Sequence, residues 1–409
     1  MAKLIHIDFL PNFERDDFDL IKWLLVRPAT IGFQSKKEMA LRFLKKYFPG
    51  GEFFFFSSAR GALTAFLKFY LSGNPRKKVA TQAYSCLVVP NSIKFAGGSP
   101  VFIDIDEDSV NLSADDLKKK IDRETGVLII QNTFGFPADY DSILAMANKK
   151  NLFVIENLAH SFGARYQGKY LGNFGDAALL SFGRSKVISS LSGGALILNN
   201  SRLAEQFKSF YADISAPSKL WLKKLLLHGC IAWVAKKHYV PWGKALMVTL
   251  RQLKLSALEI EACEKKGVMS KNYIAKMPDE LFVLLAKQLE KLERFNQQRQ
   301  RLAQIYKKEG IFHFGASLPQ AEPIFLRYPM FTLTPNKVIE KFKRRNIYLG
   351  NWYQSVLAPV QTRLDRFGYY YGVCPKAEKL ALGSYNLPTN TDVRPADAYL
   401  ICEILKSVR

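Results

Sequence analysis

The sequence predicts an α/β protein with a mostly parallel central sheet covered by helices on both faces. Two observations carry this. Short apolar runs alternate with helical stretches through the first half of the chain, and polar, chemistry-bearing residues follow directly after those runs. Parallel strands joined by crossover helices are covered on both faces. Ligands of such sheets sit at the carboxyl ends of the strands, so the residues after each run are the ones to inspect.

Taken in order, Phe53-Phe54-Phe55-Phe56 reads as a buried strand. It leads into Ser57-Ser58-Ala59-Arg60-Gly61 and a helical pattern carrying Ala62, Leu63, Phe66, Leu67 and Tyr70. Pro100 to Asp104, Val127 to Gln131, Leu152 to Asn157, Ala177 to Phe182 and Gly194 to Leu198 read as the further strands. A long helix is predicted from Asp279 to about Glu309. Leu281, Leu284, Leu285, Leu289, Leu292 and Phe295 recur at three- and four-residue steps, and Gly310 is a natural stop. This helix leads into a smaller C-terminal α+β domain. The expected division is 1–268 for the large α/β domain and 269–409 for the long helix and small domain.

Between Ser218 and Lys254 the character changes. Trp221, Leu222, Leu225, Leu226, Leu227, Ile231, Trp233 and Val234 mix with Lys219, Lys223, Lys224, Lys236 and Lys237. The uncharged apolar pieces are too short for a bilayer, which takes about 20 residues. The segment suits a membrane surface as a basic amphipathic helix with tryptophan anchors. It suits better a helical pair packed on the protein or on a second subunit, because amphipathic helices of globular proteins mostly face a core.

The chain has 409 residues, 48% of them hydrophobic, enough for more than one core. The start, Met1 to Asp8, lacks the continuous apolar run of a secretory signal. Cys86, Cys230, Cys263, Cys374 and Cys402 are far apart and odd in number, so neither a metal site nor a disulfide framework is expected. A cytoplasmic location fits this usage. Lys and Arg number 59 against 36 Asp and Glu, a net charge of +23 that favours polyanionic partners or phosphorylated substrates. Nucleic acid is the weakest of these, because no zinc finger, RNA-recognition signature or arginine tract is present.

The densest set of chemistry-bearing residues follows the Leu152 to Asn157 strand. Ile155-Glu156-Asn157-Leu158-Ala159-His160-Ser161-Phe162-Gly163-Ala164-Arg165-Tyr166-Gln167-Gly168-Lys169 is followed by Gly172-Asn173-Phe174-Gly175-Asp176, Ser181-Phe182-Gly183-Arg184-Ser185-Lys186 and Gly193-Gly194. Gly97-Gly98-Ser99-Pro100-Val101-Phe102-Ile103-Asp104 lies upstream, and Cys374-Pro375-Lys376-Ala377-Glu378 and Leu387-Pro388 lie near the C-terminus. In joint order these resemble the DegT/StrS family of sugar aminotransferases, which are fold type I enzymes dependent on pyridoxal 5'-phosphate (PLP). That family reads roughly I-E-D-A-A-H/Q-S-x-G-A-x-Y-x-G-[KR], G-x-x-G-D, S-F-x-x-x-K and G-G at these places.

The resemblance implies roles. Lys186 corresponds to the lysine that holds the cofactor as a Schiff base and later moves a proton. Ser181 and the Ser58-Ala59-Arg60 turn correspond to the phosphate ligands. Asn157 stands at the residue facing the pyridine nitrogen, and His160 at one near the ring. A lysine suits this task because a desolvated amine loses its proton near neutral pH and attacks an aldehyde.

Three departures accompany the match. Asn157 replaces an aspartate whose charge keeps the ring nitrogen protonated. Glu156 is a poor substitute, since neighbours on a strand face opposite sides. Ala59-Arg60 replaces Gly-Thr, which removes a hydroxyl and offers either a guanidinium clamp or a solvent-facing arginine. Ile274 stands where the family supplies an asparagine from the partner subunit. Because Lys186 is retained, and not replaced by the histidine of the dehydratase branch, transamination is the expected reaction. The implied substrate is a nucleotide-linked keto sugar, with glutamate as amino donor and a homodimer as the working unit. The alternative is a degenerate member that binds ligand without turnover, and Asn157 is the feature that favours it.

Overall fold

The structure, a computed structural model, describes residues 4–26, 32–253, 256–315, 318–361 and 363–407. Met1 to Lys3 and Lys254, used in the readings above, lie outside them. Seven strands form the central sheet: β1 (Glu52–Phe56), β2 (Lys78–Gln82), β3 (Ser99–Ile103), β4 (Thr125–Gln131), β5 (Phe153–Asn157), β6 (Ala177–Ser181) and β7 (Gly194–Leu198). Their order across the sheet is β1-β7-β6-β5-β4-β2-β3. Only β7 runs antiparallel to its neighbours; every other pairing is parallel.

Six of these strands lie on the runs read from the sequence. The sequence reading has no β2, and the reason is chemical. Lys-Val-Ala-Thr-Gln is not an apolar run, yet Thr81 and Gln82 are as buried as Val79 and Ala80. A buried amide is tolerated when its hydrogen bonds are made. Gln82 Nε2 donates to the Tyr84 carbonyl at 2.7 Å and to the Thr133 hydroxyl at 2.9 Å.

The strands alternate faces as the pleat requires. Phe54 and Phe56 pack with Phe66 and Phe207, on helices Ala59–Ser72 and Ser201–Ala212. Phe55 points the other way, into a core with Leu44, Leu284 and Phe282. Helix Leu281–Lys308 belongs to two cores. Leu281, Leu284, Leu289 and Phe295 face the sheet, whereas Leu302 and Tyr306 pack with Tyr328, Met330, Leu387 and Ile401. Ile5, at the other end of the chain, joins that second core, and Ile5–His6 pairs in parallel with Ile347–Tyr348.

Residues 15–26 are clamped to the long helix by a buried ammonium. Lys291 Nζ lies 2.5 Å from Asp16, 2.9 Å from Asp17 and 3.1 Å from Glu14. These three acids are the one carboxylate group among the described residues with the spacing to hold a metal ion, and the lysine fills its centre. Replacing Lys291 with methionine leaves buried Asp17 beside two further carboxylates. A cost of about 3–5 kcal/mol is expected, read as a lower urea midpoint, with Lys291→Arg retaining most of the stability.

The basic segment forms helix Lys219–Lys237 and helix Lys244–Gln252, joined by a tight turn over Tyr239–Gly243. Its inner residues Leu222, Leu225, Leu226 and Ala232 are buried. A side-chain carbon at Gly229 would meet Leu191 at 2.9 Å and Ile21 at 3.4 Å, so the helix lies tight against the body of the protein. No helix among the described residues is long and apolar enough to cross a membrane.

Candidate active site

The carboxyl ends of β1, β4, β5 and β6 open on one cavity of ≈ 580 Å³. Ser58, Ala59, Arg60, Asn157, His160, Ser181 and Lys186, the positions singled out in the sequence, all line it. They meet because each follows a strand that ends at the same edge of the sheet.

After β1, Ser58 caps helix Ala59–Ser72 by accepting the Gly61 N–H at 3.1 Å. The first-turn N–H groups of a helix have no intrahelical acceptor, and here that end borders the cavity. The turn is packed too closely for side chains on two neighbours. A Cβ at Gly194 would lie 2.4 Å from the Ala59 nitrogen, and one at Gly61 would lie 2.3 Å from the Tyr273 carbonyl. The double glycine at the start of β7 is thus a demand of packing.

Lys186 Nζ lies 3.4 Å from His160 Nε2 and 4.8 Å from the Trp352 ring centre. His160 Nδ1 accepts the Phe134 N–H at 3.4 Å, so the neutral ring carries its proton on Nε2. That N–H faces both Lys186 Nζ and the Tyr353 hydroxyl at 3.2 Å. Donation to Lys186 requires an unprotonated amine. Burial lowers the Lys186 pKa, in keeping with this, and burial followed by the nearby Lys186 charge lowers that of His160 strongly.

The loop carrying Lys186 is held from below. Asn12 Nδ2 donates to the Lys186 carbonyl at 2.5 Å, and Arg299 Nη2 donates to Asn12 Oδ1 at 3.0 Å and to the Val187 carbonyl at 2.6 Å. Arg299 is 1% exposed, and burial pushes it down to about 9, which leaves it charged at neutral pH.

Glu156 and Asn157 point to opposite sides, as expected from the strand. Glu156 accepts from the Gly172, Phe174 and Gly175 amides at 2.6–2.7 Å and from the Tyr140 hydroxyl at 2.9 Å, away from the cavity. Asn157 is both a cavity residue and a turn residue: its Oδ1 accepts the Ala159 N–H at 3.2 Å.

Arg60 takes neither of the orientations foreseen for it. Its Nε lies 3.0 Å from the carboxylate of fully buried Glu264, and its Nη1 donates to the Glu259 carbonyl. Glu259 Oε1 in turn accepts the Arg184 N–H at 2.6 Å, beside the Ser181 loop. One stretch, residues 259–264, therefore ties the turn after β1 to the loop after β6. Because the Glu259 carboxylate competes with any anion at Arg184, Glu259→Gln is expected to tighten PLP and inorganic phosphate about tenfold, roughly one ion contact in a partly screened site. Fluorescence titration reads this.

Half-buried Ile274 packs into the core with Phe54, Phe56 and Phe66, while Asn272 lines the cavity. The sequence reading also missed Cys86, Glu259, Trp352 and Tyr353, which line the cavity from segments remote from the quoted motifs.

A sequence model of the DegT/DnrJ/EryC1/StrS aminotransferase family matches residues 42–406. The chain belongs to this family. The GDP-perosamine synthase of Escherichia coli O157:H7 is 26% identical over 315 residues, 76% of this chain and 74% of that one. An uncharacterised Methanocaldococcus jannaschii protein is 25% identical over 99% of both chains. Among solved structures, Helicobacter pylori PseC, an aminotransferase involved in the biosynthesis of pseudoaminic acid, superposes with TM-score 0.72 at 20% identity, over 99% of both chains. The putative sugar aminotransferase Spr1654 of Streptococcus pneumoniae gives TM-score 0.75 at 18% identity, over 100% of this chain and 98% of that one. Those two likenesses speak for the fold.

DegT family aminotransferases use PLP, and Spr1654 is solved in PLP and PMP forms. The cavity of this member fits that cofactor. It offers a half-buried amine at Lys186, a helix N-terminus and Ser181 for an anion, and the Asn157 amide at the end of β5.

Proposed function

We propose that the chain transfers an amino group from glutamate to the keto group of a nucleotide-linked sugar, in the synthesis of amino sugars for a surface polysaccharide or a glycosylated metabolite. The observation that carries this reading is the half-buried Lys186 amine facing His160 in a cavity at the strand ends. Membership of an aminotransferase family supports it, as do relatives named GDP-perosamine synthase.

In this reading Lys186 would hold the cofactor and would carry the proton that leaves and returns to the substrate carbon. His160 and Tyr353 orient the Lys186 amine. The helix N-terminus at Ser58-Ala59-Arg60 and the Ser181 hydroxyl would hold its phosphate, and Asn157 would serve its ring nitrogen. Bound PLP supplies the aldehyde and the electron-accepting ring. The working unit is a homodimer in the cytoplasm, and Arg184, Lys224 and Arg251 on the cavity wall suit a diphosphate.

The test uses the purified full chain with PLP, glutamate and GDP- or UDP-linked keto sugars. An amino-sugar product, together with cofactor mass fixed on Lys186 by borohydride, supports the reading. Cofactor mass without product for any sugar, or with added glutamate alone, points to the alternative favoured by Asn157, a binder without turnover. No cofactor mass on Lys186 overturns the amino-transfer reading and leaves the chain as a binding module.

A further inference from the structure

We propose that the outer face of helices Lys219–Lys237 and Lys244–Gln252 docks on an anionic lipid bilayer surface. From Ile214 to Leu258 the sequence contains no Asp or Glu. The structure then sorts the segment into two faces. Lys236, the lysine that faces inward, is spent within the protein: its Nζ lies 2.6 Å from Asp392 and 2.8 Å from the Leu10 carbonyl. On the outer face Leu220, Lys223, Leu227, Val234 and Lys237 follow each other at helical spacing and are exposed. Leu220 is 77% and Leu227 52% accessible.

Helix Lys244–Gln252 goes further, because none of its residues is buried. Val248 and neighbouring Leu253 are exposed, as is Trp242 in the turn before it. A nine-residue helix is too short to persist on its own propensity in water. Met247 packs on the core, and the exposed apolar side chains on the other side of this helix call for an occupant.

Charge selects that occupant. A second copy meeting this face through a twofold axis would set lysine against lysine with no carboxylate between them, since such interfaces match one patch to itself. A bilayer containing anionic lipid satisfies both features. Its headgroups attract the lysines, and its interface takes the leucine, valine and tryptophan side chains. Lys224 and Arg251 on this segment also line the active-site cavity, so the docking face is continuous with the cavity rim.

The experiment sediments the full chain with vesicles of phosphatidylcholine, alone or mixed with phosphatidylglycerol, at low and high salt. Binding is expected only to the mixed vesicles and is expected to weaken with salt. The triple variant K223E/K237E/K244E is expected to lose at least about 100-fold in partition, and L227S/V248S about tenfold, each lysine and buried apolar chain contributing separately. Both variants must keep the far-ultraviolet circular dichroism of the parent, and their PLP absorbance reports separately on the proposed cofactor chemistry. Equal binding to neutral vesicles, an unaffected triple variant, or no binding at all overturns the proposal. So does a sedimentation-velocity result in which L227S/V248S converts a dimer to a monomer while vesicles are ignored, which makes the face a subunit interface.

Discussion

Replacing Lys186 with alanine is expected to abolish amino transfer, by about 10⁴-fold or more, a loss on the scale of removing the general acid–base group. The reason lies in the site. Burial favours the neutral form of this amine, and the His160 N–H at 3.4 Å has a free lone pair to meet only in that form. Lys224 also lines the cavity, but it is exposed on helix Lys219–Lys237. Lys186→Arg keeps a positive charge yet supplies no nucleophile, so it is expected to fail equally. The measurement is the rate of product formation together with peptide mass after borohydride. Retention of a tenth of the activity by Lys186→Ala would remove this residue from the chemistry.

Replacing Asn157 with aspartate is expected to raise the rate of amino transfer about 10- to 100-fold. Asn157 has one acceptor oxygen, and that oxygen already takes the Ala159 N–H at 3.2 Å. The amide nitrogen only donates, and the oxygen, with one lone pair still open, carries no charge to hold a proton on the ring nitrogen. Without a carboxylate beside it, the ring nitrogen of bound PLP would be protonated less and would accept electrons more weakly. An aspartate can serve the Ala159 N–H with one oxygen and a protonated ring nitrogen with the other. The change is conservative in shape, and the Asn157 side chain reaches the cavity, so the fold is expected to survive it. Single-turnover rates and the visible spectrum of the loaded protein check the prediction. An unchanged rate with unchanged cofactor binding would show that the chain does not depend on ring protonation.

Much of the candidate site is legible in the sequence because its parts are local. Asn157, Ser181 and the Ser58-Ala59-Arg60 turn each stand at the end of a strand, or directly after one, and the strands themselves are short apolar runs. Parallel topology then brings their ends to one edge without further information. Glu156 and Asn157 facing opposite ways is likewise a local consequence of the pleat.

What the sequence by itself determined is the α/β class, six of the seven strands, the long helix and the residues that line one cavity. Each of these rests on periodicity or on neighbours in the chain. The tertiary structure alone decided the rest. β2 is a strand because Gln82 finds the Tyr84 carbonyl and the Thr133 hydroxyl, partners that no apolar pattern announces. Arg60 is committed to Glu259 and Glu264, the first of which is 199 residues away. Trp352 covers Lys186 from a segment beyond the long helix. The mixed helix Lys219–Lys237 has one face against the protein and one basic, apolar face outward. These outcomes depend on which side chains meet after the chain has closed on itself, and pairings between distant residues leave no periodic trace in the order of the amino acids.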